Sequence, residues 1–409
     1  MYVSMVSARK TARADTRIIT TLHGFQLFNK MLRFRYWTAI LCWCGMAVHS
    51  LQAQSVRLAD PGASRRTKAL FINLQQTASE GKMLFGHQDD LAYGVGWREQ
   101  KGGSDVKAVC GDYPAVYGWE LGDLEHNAAY NLDSVRFDLM KQWIKSGYKR
   151  GGVITISWHM DNYHTGGSAW DTTAAVQDIL PGGPKHEEFK ADLDNFVDFL
   201  HDLKGGGWLS RHNIPIIFRP FHEHTGSWFW WGKNHATPEQ FKALWRFTVS
   251  YLRDTRHVHH LLYAFSTSGD FTSREEFMEF YPGDEWVDIL GFDDYNIYDT
   301  DIRPTPFQQR LNIMVAEAEA RGKVPALTEC GMEGIRPADW YTRVLLKQLQ
   351  EDPMSRRIAY ALVWRNANRQ HHYSPYPGHQ SVPDFELFYQ NKNTIFERDL
   401  VNFYKKPKK

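Results

Sequence analysis

Two glutamates stand out by their setting. Glu223 lies in Phe218-Arg219-Pro220-Phe221-His222-Glu223-His224, and Glu329 in Ala326-Leu327-Thr328-Glu329-Cys330-Gly331. A pair of carboxyl groups can cleave a glycosidic bond: one protonates the leaving oxygen, and the other meets the positive charge that develops at the anomeric carbon. The plainer alternative is that each glutamate neutralises a nearby arginine, Arg219 or Arg365. His222 and His224 flank Glu223 and raise the question of a metal. The zinc pattern His-Glu-x-x-His fails, because Gly226 stands four places after His222, and His257, His259 and His260 bring no third ligand at a suitable spacing. No metal is expected. After Glu223 the chain reads Thr225-Gly226-Ser227-Trp228-Phe229-Trp230-Trp231-Gly232. Three tryptophans on one glycine-bounded loop cannot all be core residues. One or two should pack beneath the loop, and at least one should present a flat apolar face of the kind that suits a sugar ring.

Such groups need a scaffold that brings distant segments together. Short apolar runs at 83–86, 115–119, 152–157, 215–218, 261–265, 287–292, 324–328 and 360–364 read as strands. Between and around them, stretches with apolar residues at i, i+3, i+4 read as helices, at 68–78, 133–146, 186–203, 238–253, 307–320 and 338–350. Eight alternations of this kind predict an α/β fold, a parallel sheet closed as a (β/α)8 TIM barrel in a single domain. An open doubly wound sheet is the alternative, but Phe85-Gly86-His87-Gln88-Asp89 lacks the glycine pattern that fold carries after its first strand. In a barrel, functional groups gather at the C-terminal strand ends. Those ends deliver His87, Glu120, His159, Glu223, Asp293 with Tyr295, Glu329, and Trp364 with Arg365. Only the fifth run delivers nothing. An insertion over 170–190 either walls off one end of a cleft or is a surface loop.

Composition narrows the partners. Lys+Arg 48 against Asp+Glu 47 gives a net charge of +1, so no nucleic-acid partner is expected. Aromatic residues make up 14%, with 15 Trp, a surplus that calls for a binding surface. Residues 31–53 combine basic Arg33 and Arg35 with a short apolar run and a small Ala53, the pattern of a secretory signal. Residues 1–53 are therefore read as an N-terminal extension and signal peptide that is removed, and 54–409 as the catalytic domain. That domain would work outside the cytoplasm, with no membrane span, as a monomer. Cys42 and Cys44 fall in the signal, leaving Cys110 and Cys330, which are expected to be two separate thiols.

Over roughly residues 65–405 the chain resembles glycoside hydrolase family 26, chiefly β-mannanases. The motifs that carry the resemblance are Arg219-Pro220-Phe221-His222-Glu223 leading to Trp228-Phe229-Trp230-Trp231-Gly232, then Gly291-Phe292-Asp293-Asp294-Tyr295, then Thr328-Glu329-Cys330-Gly331. The family places His before its acid where most related barrels place Asn, and here it is His222. The resemblance implies a (β/α)8 barrel that hydrolyses β-1,4-mannosidic bonds of mannans with retention and without a cofactor. It further implies Glu223 as general acid/base, Glu329 as nucleophile and Tyr295 as the tyrosine that holds the nucleophile. His159 and His222 would bind substrate, and Trp228 would stand beside the cleavage point. Trp364 would floor the −1 sugar, and Arg365 would grip the −2 sugar. His224-Thr225-Gly226 stands where the family commonly has Met-Asn-Gly, which bears on contacts with the leaving group. A glucan or xylan hydrolase on the same barrel, or a non-catalytic carbohydrate-binding protein, are the competing readings.

Overall fold

A computed structural model describes residues 57–407. Eight parallel strands form its centre: β1 (Met83–Gln88), β2 (Val116–Glu120), β3 (Val153–Trp158), β4 (Ile216–Pro220), β5 (Leu261–Ser268), β6 (Ile289–Asp294), β7 (Val324–Cys330) and β8 (Tyr360–Val363). Each pairs with the next, and β8 returns to β1 through Leu84 opposite Tyr360 and His87 opposite Val363, which closes the barrel. Every residue of these strands is buried. Burial on both faces is why they read as continuous apolar runs rather than as an alternation. The expected (β/α)8 barrel is present, with all eight strands at the anticipated places.

Alternation nonetheless governs which side chains point where. One apolar cluster takes Leu84, Val116, Val153, Ile217, Leu262, Ile289 and Val324 together with Leu70, Phe71 and Leu74 of α1 (Arg65–Ser79). The other takes the intervening Ile154, Ile156, Phe218, Tyr263, Phe265 and Phe292. These pack against α2 (Phe137–Arg150), α3 (His186–Asp202), α4 (Pro238–Ser250) and α5 (Pro306–Ala320). Stepping along the strands by two from the first cluster leads to Glu120, Ser157, Arg219, Ser266 and Asp293 at the C-terminal ends. The barrel interior thus changes from apolar to polar at one mouth.

Two helices start where their chemistry dictates. Thr237 and Thr305 each form a capping box with the glutamine three places on, and Pro238 and Pro306 occupy the first turn, where a missing N–H costs nothing. The stretch expected at 338–350 is a π-helix over Trp340–Leu346 that continues as Lys347–Glu351. Four further α-helices, Asp105–Cys110, Val176–Ile179, Arg274–Met278 and Val382–Gln390, were not anticipated, three of them being too short to show a period. The fifth strand runs to Ser268, three residues past its expected end, so it too delivers polar groups to the mouth. Cys110 and Cys330 are both free thiols. The proposed signal peptide, with Cys42 and Cys44, lies outside the described residues. No helix among the described residues is long and apolar enough to cross a membrane.

Candidate active site

Glu223 follows β4 on a turn that forces both Phe221 (φ 47°) and Glu223 (φ 54°) into the left-handed region. Neither residue favours that conformation, and backbone strain of this kind concentrates at functional sites. The turn is held by the Glu223 N–H donating to the Ser266 carbonyl at 2.9 Å. The tryptophan loop then folds back over it. Trp230 and Trp231 are fully buried, their indole N–H groups donating to the Met160 and His222 carbonyls, each at 2.9 Å. Trp228 stays 41% exposed and donates from Nε1 to Glu223 Oε2 at 2.7 Å. Burial, followed by the charges of Asp293 and Glu329, pushes the Glu223 carboxyl well above the usual carboxylate range.

Glu329 reaches the same mouth through a departure from the alternation. Thr328, like Ala326, belongs to the inward-facing set, so a regular strand would turn Glu329 outward. In the pairing of β6 with β7, Phe292 opposes Leu327 but Asp293 opposes Glu329. One extra residue is accommodated there, a β-bulge, and bulges re-aim side chains in this way. Thr328 Oγ1 fills the bulge, 3.0 Å from the Phe292 carbonyl and 2.8 Å from Asp293 Oδ1. Glu329 can therefore also face inward. The Tyr295 hydroxyl donates to its Oε1, and Arg219 Nη2 donates to its Oε2 at 2.5 Å. The other arm of Arg219 donates to Asp293 Oδ2 at 2.6 Å. Asp293 Oδ1 accepts from Ser266 Oγ at 2.8 Å. Burial moves Asp293 up to about 7 against the opposing pull of Arg219. One oxygen each of Glu223, Asp293 and Glu329 lies within 4.8 Å of the others. Three carboxylates that close could attract a cation, and Arg219, bridging two of them, is the cation the fold supplies. A second trio, Asp123, His126 and Asp161, has the same spacing near the surface, with His126 already 2.9 Å from Asp161.

The two histidines form a second wall. His159 Nε2 stands 3.2 Å from His222 Nε2, and His159 Nδ1 stands 2.9 Å from Glu120 Oε2. Burial works against charge on both rings. In His159 the Glu120 carboxylate overcomes it and raises the imidazole, whereas in His222 the Arg219 charge adds to it and lowers the imidazole well below its usual range. His159 is thus the better donor and His222 the better acceptor between them. Burial alone would raise Glu120, but His159 and Ser157 hold it down at about 2. Trp170, the first residue of the insertion, stacks on His159 with centroids 5.1 Å apart and planes 12° apart. Farther along, Val176 and Ile179 of that insertion are buried in the core, so it is anchored at both places.

Trp364 is half-buried at the end of β8, its N–H bonded to the Cys330 carbonyl at 3.1 Å. Arg365 pairs with Asp133 at 2.9 Å rather than with either glutamate. The plainer sequence reading therefore applies to Glu329 through Arg219, and Glu223 has an indole for a partner. Arg219, Ser266 and Trp170 were not singled out from the sequence as site residues. Arg219 carried the clearest signal, as an inward-facing charge in an otherwise apolar strand.

A closed parallel barrel with two converging carboxyl groups on the ends of β4 and β7 defines a barrel-type glycoside hydrolase. Residues 59–351 match the sequence pattern of Glycosyl hydrolase family 26, and the chain belongs to that family. A GH26 beta-mannanase from Bacteroides ovatus is 41% identical with a TM-score of 0.78, over 84% of this chain and 98% of that one. An endo-beta-1,4-mannanase from Cellulomonas fimi is 35% identical with a TM-score of 0.79, over 86% of this chain and 79% of that one. A mannan endo-1,4-beta-mannosidase of Bifidobacterium adolescentis is 34% identical over 86% of this chain, which spans only 37% of that protein's length.

Proposed function

We propose that this glycoside hydrolase cleaves β-1,4-mannosidic bonds of mannans with retention, by double displacement. The observation that carries the reading is the close approach of the carboxyl oxygens of Glu223 and Glu329, within 4.8 Å. Retaining enzymes set their two carboxyl groups about 5–5.5 Å apart, and inverting enzymes leave room for a water between them. In the first step Glu329 attacks the anomeric carbon and forms a glycosyl ester, while the proton of Glu223 passes to the departing oxygen. In the second, the Glu223 carboxylate takes a proton from water, whose oxygen displaces Glu329 and restores both groups. Tyr295 and Arg219 orient the Glu329 carboxylate for attack. Glu223 begins protonated because burial and its acidic neighbours favour that form.

Around the reacting carbon, Trp364 floors the −1 sugar, His159 and His222 hold its hydroxyls, Trp228 borders the leaving sugar, and Arg365 reaches the −2 sugar. Mannan as the polymer is supported by the relatives, which are named for it. Galactomannan, glucomannan and manno-oligosaccharides fit the same chemistry. The enzyme acts outside the cytoplasm, a reading that rests on the N-terminal pattern of 31–53 and is checked by the N-terminus of the secreted protein; its action as a monomer is checked by its mass in solution.

Glu329→Ala decides the mechanism. Hydrolysis of β-mannan should fall at least about a thousandfold, and azide should restore turnover on an activated aryl mannoside with inverted product. Residual activity above roughly a hundredth of wild type would place the nucleophile elsewhere. Wild-type release of reducing sugar from glucan or xylan in preference to mannan would refute the substrate.

A further inference from the structure

The end of the barrel opposite the carboxylates carries a cleft of about 1390 Å³, in which nine of the 21 lining residues are Lys or Arg and none is Asp or Glu. Its charge comes from separate segments: Arg65, Arg66 and Lys68 of α1, Lys145 and Lys149 of α2, Lys204, and Lys405 with Lys406 near the C-terminus. Arg150 is neutralised by Glu397 at 2.5 Å. Among the described residues no carboxylate pairs with the other eight. The walls are tied together. Asn73 Nδ2 donates to the Phe403 and Lys405 carbonyls at 2.8 and 2.9 Å, and the Tyr404 hydroxyl donates to the Gly152 carbonyl at 2.6 Å. Tyr148 stands 2.8 Å from His212 Nε2 and packs on Tyr404 with ring centroids 4.5 Å apart.

One wall is a hairpin, Lys204–Gly205 paired with His212–Asn213, whose tip reads Gly206-Gly207-Trp208-Leu209-Ser210-Arg211. Trp208 is 89% exposed and Leu209 82%, the two most exposed large apolar side chains among the described residues, and Val401 on the facing wall is 65% exposed. A neutral polysaccharide has no use for eight unpaired cations, and an indole alone would serve a sugar ring without an aliphatic neighbour. A bilayer with anionic headgroups uses all of it: indole and leucine enter the interface, and basic side chains meet the phosphates.

We propose that this face docks on a membrane surface rich in anionic phospholipid, with Trp208 and Leu209 entering the interface and the basic cleft holding phosphate groups. The cleft is built from segments that precede β1, β3 and β4, whereas Glu223 and Glu329 follow β4 and β7. Docking therefore leaves the carboxylate mouth directed away from the bilayer, toward a polymer in solution.

The test is sedimentation of the full chain with vesicles of phosphatidylcholine alone or mixed with phosphatidylglycerol. Wild type should partition onto the mixed vesicles at least about tenfold better than onto the neutral ones, and high salt should release it, each basic side chain contributing roughly fivefold. Trp208→Ala/Leu209→Ser and Lys145→Glu/Lys149→Glu should each lose at least about tenfold of that partition. Both should keep the wild-type Tm and rate on a soluble manno-oligosaccharide. Should the hairpin variant misfold, the lysine variant decides alone. Equal partition onto both vesicle types, or unchanged partition by a folded variant, overturns the proposal. Loss of retention on insoluble mannan by the hairpin variant, with vesicle binding intact, would instead make Trp208 a polysaccharide platform.

Discussion

A carboxyl group that first gives up a proton and then takes one back must have both forms within reach of the working pH. At Glu223 burial, Asp293 and Glu329 favour the protonated form, and the hydrogen bond from Trp228 favours the ionised one. Trp228→Phe removes the donor and keeps an aromatic face. The Glu223 pKa should then rise further, and because catalysis needs the protonated acid, the alkaline limb of kcat/KM should move to higher pH. Activity at the optimum should fall by less than about tenfold. A pH–rate profile whose alkaline limb stays put or moves down would mean that the indole does not act on the acid. Arg365→Ala tests a different residue. Charge-assisted hydrogen bonds are worth about 1.5–3 kcal/mol each, so a contact at the −2 sugar predicts a loss of roughly ten- to a hundredfold in kcat/KM on mannotetraose, and a much smaller loss on an aryl mannoside confined to −1. Equal losses on both substrates would mean that Arg365 serves only to neutralise the buried Asp133.

The strand is the unit that aims these groups, and β7 does so through its bulge. A Cβ on Gly291 of β6 would stand 2.5 Å from Thr328 Cγ2, 2.7 Å from its Oγ1 and 2.9 Å from the Ala326 carbonyl. Gly291→Ala should therefore push Thr328 out of the bulge and swing Glu329 with it. A displacement of about 1 Å at a reacting group costs on the order of a hundredfold in rate. Steady-state kinetics should show kcat falling by that order, while KM for a long substrate, set largely by the distant sugars, changes little. A kcat within about threefold of wild type would show that the bulge does not position the nucleophile. The bulge has no signature in the run 324–328, which reads as an ordinary strand, because an extra residue in one strand is defined only by the register of its partner.

At the scale of the molecule, buried carboxyl groups set the response to pH. Burial raises Glu125 to about 7 and Asp192 and Asp288 to about 6. In the unfolded chain such groups titrate near 4. The folded state therefore holds protons that the unfolded state has released, and the stability they contribute is complete below about pH 4 and lost as pH rises through 6 and 7. Glu120, held at about 2 by His159 and Ser157 against its burial, works the other way: its contribution is present above about pH 4 and lost as pH falls toward 2. Maximum stability should lie near pH 4–5, with Tm lower by about 5 °C at pH 8 than at pH 5. Calorimetry that finds Tm flat or rising over that interval would contradict these proton affinities.

Much of this architecture was legible in the sequence. Strands buried on both faces leave continuous apolar runs, and amphipathic helices between them leave a 3.6-residue period, so eight alternations could be counted and a barrel inferred. Glu223, Glu329 and Tyr295 drew attention because polar groups near the ends of buried strands are conspicuous, and the family resemblance supplied the roles expected of them. What only the tertiary structure decided is which group stands beside which. Arg219 serves Glu329 across 110 positions of sequence and His159 meets His222 across 63, because barrel closure makes neighbours of distant strands. The inward turn of Glu329 depends on the register between β6 and β7. The basic cleft exists in a chain of net charge +1 because folding gathers lysines and arginines from separate segments. Burial and short distances fix proton affinities and local fields, and a linear spacing carries neither.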